Sequence, residues 1–203
     1  MSKHTHTYLA LGDSYTIGES LPLFDSFPYQ LVQMLRSKGL LINSAEVVAK
    51  TGWTTFELAE KLLHTKFSAA YNFVTLLIGA NNQYRKLPLQ DYKTDFEFLL
   101  RKSIHFSGDK PLHVLVLSIP DWSKTPHAVH KNPEKIMAEI NQFNQINKKL
   151  ADQYKVQYTD INTHSSTSTI SASLLAEDGL HYSAIEYARW AGMVAERIEK
   201  LIK

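Results

Sequence analysis

Residues 73–78 read Phe-Val-Thr-Leu-Leu-Ile (FVTLLI), five apolar side chains around one threonine. A strand with one wet face alternates polar and apolar residues, whereas a run this uniformly apolar fits burial on both faces. Such a strand belongs inside a parallel sheet. Working outward, four more short strand candidates flank it, over residues 7–11, 46–49, 113–118 and 156–160. Longer stretches of helical periodicity fill the gaps. Residues 27–38 put Leu31, Val32 and Leu35 on one face and stop near Gly39, and residues 89–104 align Phe96, Leu99 and Leu100. Asn132 followed by Pro133 is a cap and a first-turn proline, opening a helix whose stripe is Ile136, Ile140, Phe143 and Leu150. Thr54 with Glu57, and Ser183 with Glu186, have capping-box spacing. The second pair predicts a final helix with Ile185, Ala188, Ala195 and Ile198 turned inward. Strands alternating with helices predict a three-layer α/β/α sandwich on about five parallel strands.

The chain has 203 residues and no linker-like stretch, so a single domain over residues 1–203 is expected. It has no cysteine, which excludes disulfides, thiolate catalysis and cysteine-ligated metal. The 22 basic and 20 acidic residues are scattered, unlike the clustered Lys and Arg of a nucleic-acid footprint. The opening MSKHTHTYLALGDSY leaves no room for a secretory signal before the first strand. No segment approaches the roughly 18 apolar residues of a membrane span. A cytoplasmic protein is the expectation. The polar run at 163–170, THSSTSTI, reads as a surface loop.

In open parallel sheets, ligands bind beyond the carboxyl ends of the strands. The first strand ends in LGDSYTIGE, with Ser14 on the turn, and the second ends in KTGW, with Gly52. The third ends in IGANNQY, with Gly79, Asn81 and Asn82, and DGLHYS, with Asp178 and His181, precedes the last helix. A serine hydroxyl needs a base to become a nucleophile, and histidine has the pKa for that task. A carboxylate on the other ring nitrogen fixes the tautomer, and Asp178 lies three residues from His181, within one short loop. The N–H of Ser14, the N–H of Gly52 and the side-chain amide of Asn81 are candidate donors to an oxyanion. The G-x-S-x-G elbow of α/β-hydrolases is absent, because Thr16 stands where its second glycine would be.

These four blocks, GDSY with Ser14, the turn glycine Gly52, Gly79-Ala80-Asn81 and Asp178-x-x-His181, resemble those of the SGNH, or GDSL-type, hydrolases, in that family's order. Three positions depart from its common pattern: Tyr15 replaces leucine, Asn82 replaces aspartate and Tyr182 replaces proline. The resemblance implies a flavodoxin-like sheet of order 2-1-3-4-5. It also implies ester hydrolysis through an acyl-enzyme on Ser14, with neither metal nor organic cofactor and a small-molecule ester as substrate. Carbohydrate O-deacetylation, thioester hydrolysis and lysophospholipid hydrolysis would use the same catalytic set.

Blander readings compete at each position. Ser14 alone reads as a turn or cap serine, Gly52 as a turn glycine, and Asn81 as a loop cap. Asp13 suits a structural role in the turn, and Asp160 is a rival acid for the triad. Asn82 and Trp122 are candidate substrate-binding residues, with Pro126 beside Trp122 on the segment after the fourth strand. The histidines of HTH (residues 4–6) and HAVH (residues 127–130) read as solvated rather than as metal ligands. A non-catalytic binding module and a flavodoxin are the rivals from other functional classes.

Overall fold

The computed structural model describes residues 5–68, 70–162 and 170–202. The expected surface loop at 163–170 lies almost wholly outside them. Five strands, β1 (Tyr8–Gly12), β2 (Glu46–Ala49), β3 (Phe73–Leu77), β4 (Val114–Leu117) and β5 (Gln157–Thr159), form one sheet of order β2-β1-β3-β4-β5. Every pairing is parallel, with Ala10 opposite Thr75 and Val74 opposite Val114. All five residues of β3 are buried, as its apolar run requires. Its one polar member, Thr75, meets the buried hydroxyl of Tyr8 at 2.7 Å, so neither oxygen is orphaned.

Among the described residues, seven α-helices accompany the sheet: α1 (Ser14–Ile17), α2 (Phe27–Ser37), α3 (Thr55–Leu63), α4 (Ala80–Tyr84), α5 (Leu89–Phe106), α6 (Pro133–Tyr154) and α7 (Ala184–Ile202). The strand order dictates their sides. Chain progress from β1 to β2 runs one way across the sheet, and from β2 through β3 and β4 to β5 it runs the other. Right-handed crossovers then place α2 on one face and α3, α5 and α6 on the opposite face. The packing agrees: α2 lies along α7, while α3 packs on α5 and α5 on α6. The order reverses between β1 and β3, so a crevice is expected at their carboxyl ends.

Local signals explain the helix boundaries. Thr54 and Glu57 close a reciprocal capping box on α3. The Asn132 side chain accepts the Lys135 N–H ahead of Pro133. One expectation is corrected. Ile185 is 63% exposed, because the buried stripe of α7 is Tyr187, Trp190, Ala191, Val194, Ala195 and Ile198. At 3.6 residues per turn, a residue two places before Tyr187 lies roughly 200° around the helix from that stripe. Among the described residues, no helix is long and apolar enough to cross a membrane.

Candidate active site

The site is built from the ends of β1, β2 and β3 and from the loop before α7. Immediately after β1, the Asp13 carboxylate accepts the Tyr15 N–H at 3.0 Å and caps the short helix α1, leaving Ser14 at its first position. The Asp13 carboxyl is fully buried. Burial pushes it up to about 7, against the pull of backbone N–H groups that include those of Tyr15 and Gly79.

The loop before α7 is tightened by its own backbone. Ala176 N–H donates to His181 O at 2.8 Å, and Leu175 and Tyr182 form an antiparallel bridge. Within it, Asp178 Oδ1 accepts the N–H groups of Leu180 and His181, both at 2.9 Å. Its Oδ2 accepts the Ser20 hydroxyl at 2.9 Å and lies 2.6 Å from His181 Nδ1. Partial burial raises the Asp178 carboxyl, but the hydrogen bonds from His181 and from the Leu180 and His181 backbone together outweigh it and hold it at about 2. An ionised carboxylate can only accept, so the hydrogen of the neutral ring sits on Nδ1 and leaves Nε2 free to accept. That Nε2 lies 2.9 Å from Ser14 Oγ. The buried ring of Tyr15, with its centroid 4.9 Å from that of His181, packs against the imidazole.

Gly52 and Asn81 stand across from this chain of contacts. Gly52 has φ +82°, a conformation that glycine adopts without a steric penalty. Its carbonyl accepts from the Arg85 guanidinium, which also pairs with Glu57 at 3.2 Å. The peptide is thereby anchored through the capping residue of α3. Asn81 Nδ2 donates to Trp53 O at 3.0 Å, which fixes the plane of the amide. The N–H groups of Ser14 and Gly52 have no acceptor among the described residues. Ser14, Gly52, Asn81 and His181 line one pocket of about 240 Å³. The structure therefore brings together five residues that the sequence distributes over 168 positions: Ser14, Gly52, Asn81, Asp178 and His181.

Other sequence candidates sort differently. Trp122 lines the pocket although only 4% of it is exposed, and its indole N–H donates to Gln83 Oε1 at 2.9 Å. Asn82 does not line the pocket. It is buried, with Oδ1 accepting Thr55 N–H at 3.0 Å and Nδ2 donating to the Thr55 hydroxyl at 2.8 Å, so it ties α4 to the start of α3. Pro126 is exposed and lies outside the lining. Asp160 accepts from Ser118 and from the Asn162 N–H, each at 3.0 Å, and stays with β5. Sequence reasoning missed Tyr84 and His127, which also line the pocket. Placement of His127 on the segment after the fourth strand was the available signal. Burial, the Lys131 ammonium and His181 lower its pKa, outweighing the opposite pull of Asp178.

The sequence profile of the GDSL-like lipase/acylhydrolase family matches residues 10–189. The chain belongs to this family. It is accordingly a hydrolase that acts on ester bonds. No curated protein matches this GDSL-family chain in sequence. Solved structures resemble it closely in fold. The acetylxylan esterase Axe2 from Geobacillus stearothermophilus is 16% identical, with 98% of this chain and 96% of that one aligned at a TM-score of 0.75. The lipase/acylhydrolase from Enterococcus faecalis is 15% identical, with 97% of each chain aligned and a TM-score of 0.73. TesA is 18% identical over 96% of this chain and 99% of that one, with a TM-score of 0.71. At such identities the likeness establishes the shared fold of the GDSL-family hydrolases.

Proposed function

We propose that this hydrolase cleaves carboxylic esters by two-step acyl transfer, with Ser14 as nucleophile, His181 as base and Asp178 as the residue that orients His181. The observation that carries this reading is the continuous line of contacts from Ser14 Oγ through His181 to Asp178, at 2.9 and 2.6 Å. In the first step Ser14 Oγ bonds to the ester carbonyl carbon as its proton passes to His181 Nε2. The tetrahedral oxyanion is held by the N–H groups of Ser14 and Gly52 and by the Asn81 amide. The intermediate collapses, the bond to the alcohol oxygen breaks, and His181 returns its proton to that oxygen. Water then repeats both steps on the acyl-enzyme. The sum is ester plus water to acid plus alcohol.

The pocket volume of about 240 Å³ lies below the ~300–1,000 Å³ of drug-sized ligand sites. It favours a short acyl group over the long chain of a lysophospholipid. An acetylated carbohydrate fits that size, and Axe2, which shares the fold, is an acetylxylan esterase.

Ser14→Ala is expected to lower turnover of a p-nitrophenyl ester by a factor on the order of 10⁴ or more, while circular dichroism and melting temperature stay near those of the parent. A fluorophosphonate should label the parent protein at Ser14 and leave the variant unlabelled. Ester hydrolysis that persisted in the purified, folded variant would remove Ser14 from the role.

A further inference from the structure

A second groove adjoins the catalytic pocket: Tyr84 and Trp122, with ring centroids 5.7 Å apart, line both. This groove has a volume of about 590 Å³. Its charges are lopsided: Lys86, Lys131 and Lys135 share it with one carboxylate, Glu139. Glu139 is already engaged, accepting from the Gln83 amide at 2.8 Å and facing the Lys135 ammonium at 3.8 Å. Among the described residues, neither Lys86 nor Lys131 has a carboxylate within ion-pair distance.

Lys131 is also held in position. Its Nζ is 2.9 Å from His127 Nε2 and 3.2 Å from the Tyr84 hydroxyl. The same ammonium lies 4.8 Å from the Tyr84 ring centroid and 5.7 Å from that of Trp122. Aromatic faces fix a cation without neutralising it. An ammonium has three N–H donors, and two are engaged here. The third has no acceptor among the described residues. Because His127 lines the catalytic pocket, Lys131 stands one hydrogen bond behind its wall. Ordering a long, flexible lysine costs side-chain entropy, and an incoming anion would find that ordering already done.

We propose that the preferred ester carries an anionic group, a carboxylate or a phosphate, on the arm that passes from the catalytic pocket over the packed Tyr84–Trp122 pair into the groove, where Lys131 receives it and Lys86 adds to the attraction. This inference rests on the esterase reading and names the substrate class for that site.

The test compares kcat/KM within two matched pairs of esters. One pair is p-nitrophenyl butyrate and the mono-p-nitrophenyl ester of glutaric acid, with a carboxylate on the acyl side. The other is monobutyryl glycerol and butyryl glycerol 3-phosphate, with a phosphate on the alcohol side. In at least one pair the anionic member should be favoured by about fivefold or more, chiefly through KM, and the preference should shrink in about 0.5 M NaCl. The pair that responds identifies the side of the ester that lies in the groove. Lys131→Met should bring the anionic-to-neutral ratio towards one, and Lys131→Arg should retain it. If Lys131→Met does not fold, Lys86→Met and the salt series read the same ratio. A ratio at or below one in both pairs of the parent enzyme overturns the proposal, as does a preference indifferent to Lys131→Met. Hydrolysis of none of the four esters would instead show that the esterase reading beneath it is wrong.

Discussion

Two aspartates flank Ser14 from different parts of the chain, and they hold their protons in opposite ways. Asp13, in the turn after β1, is fully buried, and burial lifts its carboxyl to about 7. Asp178, in the loop before α7, keeps part of its side chain in water and is held at about 2 by its donors. Both carboxylates accept backbone N–H groups. The difference is one of balance: around Asp13 the cost of desolvating a charge exceeds the benefit of its donors, and around Asp178 the donors win. A buried carboxyl with this balance suits a strut between turns. An ionised carboxylate at the rim suits a group that must stabilise an imidazolium as it forms.

The comparison breaks most visibly in activity. Asp178→Asn keeps the shape and removes the charge, so the imidazole loses the partner that keeps hydrogen on Nδ1. Turnover should fall by about 10⁴-fold, with little change in melting temperature. Steady-state kinetics beside a thermal melt checks this. A loss under tenfold would mean that another group orients His181.

Asp13 should register in stability instead. Asp13→Ala leaves the Tyr15 and Gly79 N–H groups without their buried acceptor and should cost about 1–3 kcal/mol by urea denaturation. The loss of turnover should be smaller than for Asp178→Asn.

The two residues also predict opposite pH trends. In the unfolded chain both ionise near 3.8. Between 3.8 and about 7 the folded protein retains the Asp13 proton and the unfolded chain does not. The Asp13 contribution to stability is therefore complete below pH 3.8 and is lost as pH rises towards 7. Asp178 runs the other way: its contribution is complete above 3.8 and is lost as pH falls towards 2. Denaturation curves across this range should show Asp13→Asn flattening the neutral limb and Asp178→Asn flattening the acid limb.

The smallest effect belongs to Ser20→Ala, which deletes one donor to Asp178 Oδ2. The other donors remain, so turnover should drop by about threefold to tenfold. The acid limb of the pH–rate profile should keep its shape. A loss as large as that of Asp178→Asn would show that Ser20, and not the loop backbone, holds the carboxylate.

Much of the architecture was legible because buried strands and amphipathic helices leave periodic traces. The apolar run at 73–78 marked β3 as central, and the caps at Thr54 and Asn132 marked two helix starts. The convergence of the strand-end blocks could be anticipated from family order, since Ser14 and His181 lie 167 residues apart. Side-chain direction in loops was less accessible. Asn81 and Asn82 are neighbours, yet one lines the pocket and the other binds Thr55 away from it, because successive residues on a helical turn point about 100° apart. Whether a given asparagine faces the cavity depends on the phase of α4, and four apolar-poor residues after Gly79 set no phase. Ile185 went astray for a related reason, as it precedes the buried stripe of α7 by half a turn. His127 and Lys131 sit in a stretch with no period at all.

The separation of Ser14 from His181 has a consequence for biogenesis. The hydroxyl leaves the ribosome 167 residues ahead of the imidazole, and the helix that packs along α2 follows later still. On the proposed mechanism, a growing polypeptide carries an unactivated Ser14 until His181 and α7 have been made. Appearance of esterase activity during translation would then time the docking of α7, which makes catalysis a stopwatch for that step of folding.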